Sequence, residues 1–591
     1  EEKFENFRYL TCDSRVDYVL KQAKYYGYSG ERVKGLIFCS RVDEAKELSR
    51  KFNERGLRTM ALSGTDSDEV RTEAIERLAM DACDATEERQ PLDYILSVDV
   101  FSEGTDIVEI NQVIMLRPTQ SPIVYIQQLG RGLRKAEGKE YVVVLDFIGN
   151  YKNNFMVPIA LSGDRSYNKD NVRRYIMEGS RIIPGESTLH FDEISKKRIF
   201  QAIDNANFSD MKLIKENYFN LKNKLGHIPA LADFDKYGEM DIERIFDNQS
   251  LGSYYKFLVK YEKEYTTRFT KSQELMIEFV SKKIANGKRV HELILLKNML
   301  SRPHGLIGDM QEVLLRDYGI EMNENTVENI INIMTNEFSS GSQKKTYEKC
   351  IFMQPEPIEK AEAFYREANL DYRVAERMRA YAEKLLGNDR EYCISDAFSE
   401  MLFDKEFRDM IEELVDYGLG KYASCYKDRY PNTNLVLYQK YTYEDVCRLL
   451  EWEHNEVPLN IGGYKYDRKT KTFPVFINYD KSDDISDTIK YEDHFTGSNR
   501  LIAISKSGRS MQSEDVQNFL NSQERGIDVQ LFVRKNKADK ISKEFYFLGR
   551  INATGRTKEI VMPNTDKTAV EIEWVLDTPI REDIYEYIVN G

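Results

Sequence analysis

Along the first 160 positions, short unbroken apolar runs alternate with stretches whose apolar residues recur every three or four positions. The runs are Gly35-Leu36-Ile37-Phe38-Cys39, Thr59-Met60-Ala61-Leu62, Tyr94-Ile95-Leu96-Ser97-Val98, Val113-Ile114-Met115-Leu116 and Tyr141-Val142-Val143-Val144-Leu145. Between them lie helical stretches at Asp43 to Glu54, Val70 to Met80 and from about Ile123. Strands that are apolar at nearly every position are buried on both faces, so the pattern predicts a parallel sheet flanked by helices. From about 190 to 435 helical periodicity takes over, at Ile194 to Asn205, Met211 to Leu225, Ser272 to Ala285, Val290 to Ser301 and Ala361 to Leu386, and no strands are expected. Gly226-His227-Ile228-Pro229, Arg302-Pro303-His304-Gly305 and Gln354-Pro355-Glu356-Pro357 punctuate these helices into packets. Beyond about 436 strands return, at Phe473 to Tyr479, Val529 to Val533, Phe545 to Leu548 and Val570 to Val575. The expected architecture is multidomain: an α/β lobe over 1–165, a helical module over 166–270, a helical bundle over 271–436 and a mixed α/β, strand-rich domain over 437–591.

Composition narrows the class without changing this picture. The 591 residues are 41% hydrophobic and 31% charged, enough for several packed cores and unlike a disordered chain. No run of about 18 apolar residues occurs, and the N-terminal stretch has neither the basic nor the apolar region of a secretory leader, so a cytoplasmic protein is expected. The seven Cys include no CxxC and lie near no His pair, which predicts neither a disulfide framework nor a zinc site. His291 and His304 lack Cys or carboxylate partners at metal spacing and receive no metal role. The net charge of -14 argues against a generally basic coat, but a local basic surface suffices to meet a phosphate backbone.

Candidate chemistry concentrates after the strands of the first lobe. Tyr125-Ile126-Gln127-Gln128-Leu129-Gly130-Arg131-Gly132-Leu133-Arg134 places Arg131 and Arg134 on one helix face, just beyond Gly130. Guanidinium forks are permanently charged and suit a nucleotide γ-phosphate; a solvated basic helix end is the plainer alternative. Ser97 to Ile107 follows a strand directly, where open α/β sheets seat ligands. There Asp106 can hold a ribose hydroxyl, while Thr105 and the Gly104 amide can face a phosphate. Ser40-Arg41 and Ser63-Gly64-Thr65 end two further strands. Asp192-Glu193 reads as a helix N-terminal acid pair, and His227 as a turn or cap residue.

Together these segments resemble the second RecA-like lobe of superfamily 2 helicases, in the branch containing type I and type III restriction-enzyme motors. Ile37 to Arg41 resembles motif IV, Asp99 to Asp106 motif V, and Gln127 to Arg134 fits the QxxGRxxR of motif VI. Asp146-Phe147-Ile148-Gly149-Asn150 also resembles that branch. The resemblance implies that Arg131 and Arg134 act as γ-phosphate sensor and arginine finger, with Gln127 organising the nucleotide and Asp106 on the ribose. Ser40, Arg41, Ser63, Gly64 and Thr105 would touch the tracked strand. The sequence contains no GxxxxGK[ST], so ATP and Mg²⁺ are expected only with a first lobe carried on about 400 or more preceding residues, where the restriction-enzyme resemblance also implies a nuclease domain. Alone, this chain is not expected to hydrolyse ATP. Tyr218 to Phe234 and Ser253 to Leu258 resemble helical modules of such helicases and predict a coupler.

The last 150 residues resemble the uncharacterised domain, of the DUF3427 type, that ends many such helicases and also methylcytosine-dependent type IV restriction enzymes. Tyr479, Ile489 to Phe495, Ile504 to Ser507, Leu531 to Lys535 and Phe545 to Gly549 carry that resemblance. A reader of a modified base stacks it on aromatic faces while cations hold the backbone. Residues 500–558 hold twelve Lys/Arg against six Asp/Glu, a local excess of positive charge. Tyr479, Tyr491 and Phe495 are the stacking candidates, with Arg500, Lys506, Arg509, Arg534 and Lys535 on phosphates, although aromatics in strands also serve as core. The sequence therefore suggests the C-terminal part of an ATP-dependent DNA helicase or translocase of restriction type with DNA as its partner and modified cytosine as the base its last domain would read; a non-enzymatic DNA- or protein-binding module on a RecA-like scaffold and an RNA helicase are the alternatives.

Overall fold

A computed structural model of the chain describes residues 7–98, 107–117, 125–127, 129–130, 136, 138–147, 154–178, 188–206, 210–368, 370–387, 390–479, 493–535, 543–562 and 566–590. The chain forms two compact units, Glu1–Phe208 and Ser209–Gly591.

The first unit is built on five parallel strands, β1 (Gly35–Phe38), β2 (Thr59–Leu62), β3 (Tyr94–Ser97), β4 (Gln112–Met115) and β5 (Val143–Asp146), in the order β2-β3-β1-β4-β5. The three central strands, β3, β1 and β4, are buried throughout, whereas the edges β2 and β5 are partly exposed. This is the burial that uniformly apolar runs predict for a sheet covered on both faces. Val16, Val19 and Ala23 of the helix Asp13–Tyr26, together with Leu48 and Phe52 of Val42–Glu54, pack with Ile37, Leu96 and Ile114. Gly35 pairs with Tyr94, and any Cβ at Gly35 would overlap the Tyr94 ring, whose hydroxyl donates to Gln112 Oε1 at 2.6 Å. Asp192 caps the helix Glu193–Asn205 by accepting from the Ile194 and Ser195 amides at 3.0 Å each, as an N-terminal acid should.

The second unit combines helices with two sheets. Strands are not absent from 190–435: β6 (Met353–Pro357) and β7 (Arg390–Ile394) form an antiparallel ribbon. The run expected to be helix punctuation is itself a strand, because a two-stranded ribbon has only edges and an edge tolerates Pro355 and Pro357. The stretch Ala361 to Leu386 is two helices, Ile358–Glu367 and Tyr372–Leu386, the second capped by the Asp371 side chain on the Arg373 amide. His227 lies in the turn after the αL residue Gly226 and meets the Ile228 carbonyl at 3.0 Å.

The larger sheet contains β8 (Lys440–Tyr441), β9 (Thr472–Asn478), β10 (His494–Gly497), β11 (Arg500–Ile504), β12 (Asp528–Arg534), β13 (Phe545–Val561) and β14 (Thr568–Leu576). The order is β10-β11-β14-β13-β12-β9, with β8 pairing β13; β9 and β12 are parallel and the other pairs antiparallel. Trp574, Phe473, Phe519 and Tyr587 anchor its core. Buried ion pairs tie this sheet region to the helices: Lys288 Nζ reaches Asp445 at 2.7 Å and Glu544 at 3.0 Å. The Arg289 guanidinium binds Glu292 and donates to the Arg448 carbonyl at 3.0 Å.

Candidate nucleotide and nucleic-acid interface

Because all five strands of the first unit run parallel, their carboxyl ends meet at one edge. The registers Phe38↔Ser97, Leu62↔Ser97, Phe38↔Met115 and Met115↔Asp146 align those ends. Ser40, Arg41, Ser63 and Gly64, chosen from separate strand ends, therefore share one edge of the sheet, where open α/β folds bind ligands. Arg131, Arg134, Gly104, Thr105 and Asp106 lie outside the described residues. Gln127 is exposed in a helical turn whose Tyr125 and Leu129, one turn apart, face inward, while Gly130 is half-buried.

Local contacts set how each described candidate is presented. The Ser40 amide donates to Glu44 Oε2 at 3.0 Å, which fixes the first turn beyond β1. Arg41 is exposed and forks onto Asp43 at 3.0 and 2.7 Å, so a nucleic-acid phosphate would have to displace an existing carboxylate. Ser63 is buried, with its amide and hydroxyl on Asp66 Oδ2 at 2.6 and 3.0 Å. Its hydroxyl is thus a turn-former more than a free contact. Gly64 is exposed, and its carbonyl accepts from Arg71 at 2.8 Å.

Beneath this edge sit residues that sequence reasoning overlooked. Glu44 is fully buried, and burial raises its pKa although the Ser40 amide and Arg15 oppose it. Arg15, on the helix Asp13–Tyr26, approaches Glu44 at 3.7 Å and the Leu116 carbonyl at 3.4 Å. It therefore links the helix after β1 to the residue that follows β4. Only the buried charge pairing marks it, and pairing is invisible to a linear motif. At the end of β5 the Asp146 carboxylate is buried without a well-aligned hydrogen bond; burial pushes its pKa up to about 8, against the opposing pull of the nearby Tyr125 hydroxyl.

In the second unit the expected base-stacking set is corrected. Tyr479 and Phe495 are 4% and 7% exposed and lie together in the core, rings 5.6 Å apart, so they offer no face to a base. Their strands need apolar mass on the inner face, which an aromatic pair supplies. Tyr491 lies outside the described residues. The five phosphate candidates are present but engaged. Arg500 meets Glu573 at 3.3 Å, Arg509 meets Asp515 at 2.6 Å, and Arg534 donates to Asn478 Oδ1 at 2.5 Å. Lys506 donates to the Ile461 carbonyl at 2.8 Å and Lys535 to that of Tyr587 at 3.1 Å. His304, set aside on sequence spacing, has Nδ1 2.7 Å from Glu356 Oε2.

Residues 17–136 match the family described as the helicase conserved C-terminal domain. The first unit therefore carries a helicase conserved C-terminal domain. Residues 214–384 and 435–588 match two domains of unknown function, DUF8090 and DUF3427. Among similar proteins, the putative ATP-dependent helicase IRC3 of Saccharomyces cerevisiae is 28% identical over 35% of this chain and 32% of its own length. The putative mitochondrial ATP-dependent helicase irc3 of Schizosaccharomyces pombe is 32% identical over 20% and 18%. The ATP-dependent RNA helicase SrmB of Haemophilus influenzae is 26% identical over 23% and 28%. The chain thus spans about a third or less of these relatives. A solved structure of the E. coli DEAD-box protein SrmB bound to regulator of ribonuclease activity A aligns at 21% identity, covering 22% of this chain and 69% of that one, with a TM-score of 0.18. Among the described residues no helix is long and apolar enough to cross a membrane.

Proposed function

We propose that this chain supplies the second motor lobe and the DNA-engaging C-terminal part of an ATP-dependent DNA helicase or translocase of restriction type. The observation that carries the reading is the helicase C-terminal domain over 17–136, on a parallel sheet whose carboxyl edge gathers Ser40, Arg41, Ser63 and Gly64. ATP would bind between this lobe and a first lobe carrying the P-loop, which would also hold Mg²⁺. Arg131 and Arg134 would then stabilise charge on the γ-phosphate, Gln127 would organise the nucleotide, and Gly104, Asp106 and Gly130 would shape its site. Closure of the two lobes on ATP would advance the strand held at the sheet edge.

The test joins the natural first lobe to this chain and measures ATP hydrolysis with and without duplex DNA. Replacing Arg131 or Arg134 with Ala should lower DNA-stimulated turnover about a thousandfold, the scale of an arginine finger. Turnover unchanged in both variants would defeat the assignment. A reading on RNA has one specific support, the likeness to a relative named as an RNA helicase. Stimulation by single-stranded RNA and not by DNA would establish it in the same assay. With Tyr479 and Phe495 in the core, recognition by the strand-rich region rests on its basic surface.

A further inference from the structure

The ribbon β6-β7 and the loop facing it bring together three side chains that lie far apart in sequence. In the antiparallel register Gln354 pairs with Cys393 and Glu356 with Glu391, so all four project from one face. That face meets the segment 302–308. The Gly305 amide donates to Glu356 Oε1 at 2.9 Å, and the Ile307 and Gly308 amides donate to Glu391 at 3.0 and 3.1 Å. The Tyr365 hydroxyl binds the Gly305 carbonyl at 2.6 Å, and the Ile394 amide binds that of Pro303 at 2.8 Å. Four backbone positions around His304 are thereby pinned before any ligand arrives.

Within this frame donor atoms of His304, Glu356 and Cys393 all lie within 4.8 Å of one another. We propose that His304, Glu356 and Cys393 form a binding site for one zinc-like divalent cation, with solvent completing the fourth position beside the half-exposed His304. The donor set is the argument. Imidazole nitrogen, carboxylate oxygen and thiolate sulfur together suit a borderline-soft ion that accepts tetrahedral N/O/S coordination, whereas Mg²⁺ and Ca²⁺ take oxygen cages.

The dimensions agree. Metal–ligand bonds of about 2.0–2.3 Å place tetrahedral donors roughly 3.5 Å apart. His304 Nδ1 and Glu356 Oε2, now 2.7 Å apart, need to separate by less than about 1 Å, and the imidazole, whose side chain is 38% exposed, has room to move. Glu356 is held by its second oxygen on the Gly305 amide, the outer support that orients a metal-binding carboxylate. As the metal–sulfur bond forms, the Cys393 thiol proton leaves to solvent, so the ion faces one thiolate and one carboxylate, a neutral balance for a dication. In the ordinary alternative Glu356 caps the 302–308 loop through Oε1 and hydrogen-bonds His304 through Oε2, with the Cys393 thiol beside them and no ion bound; titration with Co²⁺ separates the two.

The experiment titrates the 591-residue chain, stripped with a chelator, with Co²⁺ alone and follows the thiolate-to-cobalt charge-transfer band and its displacement by Zn²⁺. One equivalent is expected to bind with that band. Cys393→Ser should abolish the band, and His304→Ala should weaken binding at least tenfold, since loss of even an outer partner costs about 10–100-fold. His304→Ala changes a partly exposed side chain and carries the test should Cys393→Ser fail to fold. Absence of a stoichiometric band, or a band unchanged in both variants, overturns the site. Because none of the three residues belongs to the motor lobe, the result is independent of the proposed function.

Discussion

At Asp146 a single carboxyl couples the first unit to pH. Its pKa is raised by burial to about 8, far above that of an unfolded aspartate. Between about pH 4 and 8 the unfolded chain has released a proton that the folded lobe still holds, so lobe stability falls as pH rises through that window. Asn keeps the shape and removes the charge. Asp146→Asn is therefore expected to match the parent's Tm below about pH 4, where the carboxyl is protonated in both states, and exceed it by about 3 °C or more at pH 8, read by scanning calorimetry. A difference that does not vary with pH would show that Asp146 titrates normally. Gly35 marks a packing limit of the same lobe: with Tyr94 fastened to Gln112, a Cβ at Gly35 must push a ring that cannot swing away. Gly35→Ala should cost about 2 kcal/mol, the usual scale of overpacking, as a lower urea midpoint with unchanged slope.

Strands made of apolar or β-branched runs were legible in the sequence, and a strand made of turn-type residues was not. β1 and β3 to β5 stand within about two residues of their apolar runs, and β2 coincides with its run, because a covered parallel strand leaves no polar alternation to confuse the pattern. β6 escaped because Gln354, Pro355, Glu356 and Pro357 carry the residues of a turn, and only its partner β7 makes it a strand. The helix Asp13–Tyr26 contributes Arg15 to the sheet edge, yet nothing in its own pattern distinguishes Arg15 from a surface cation. Tyr479 and Phe495 show the converse failure: an aromatic in a strand has the same sequence signature whether it meets a base or a core. The helix His291–Met299 adds a charged example. Glu292 is fully buried, and although burial opposes ionisation, Arg289 and Arg448 draw its pKa down to about 2. Its contribution is therefore complete above about pH 4.5 and is lost as pH falls toward 2. Glu292→Gln leaves the Arg289 guanidinium buried without its countercharge and should destabilise the second unit by about 3 kcal/mol at pH 7, measured by urea denaturation. A change below about 0.5 kcal/mol would mean that the neighbouring Asn329 and Arg448 carbonyl suffice for Arg289.

On the scale of the whole chain, the proposed nucleic-acid binding would require an acidic molecule of net charge -14 to meet a phosphate backbone through local exceptions. Five candidate cations on five phosphates would give a salt slope of about -4.5 in log K against log salt. The second unit already occupies them unequally. Arg509 is locked on Asp515 at 2.6 Å, whereas Arg500 makes only a longer 3.3 Å contact with Glu573 and keeps 47% of its side chain exposed. Breaking the tighter pair returns a carboxylate to the neighbourhood of the phosphate, which offsets the gain; loosening the longer one costs little. Arg500→Ala should therefore reduce the slope by about 1, while Arg509→Ala should leave it nearly unchanged. Duplex-DNA binding by fluorescence anisotropy between about 50 and 200 mM NaCl reads both slopes. Equal reductions would show that the internal ion pairs dissolve on contact with DNA, and no reduction in either would move the nucleic-acid surface off β11 and the turn that follows it.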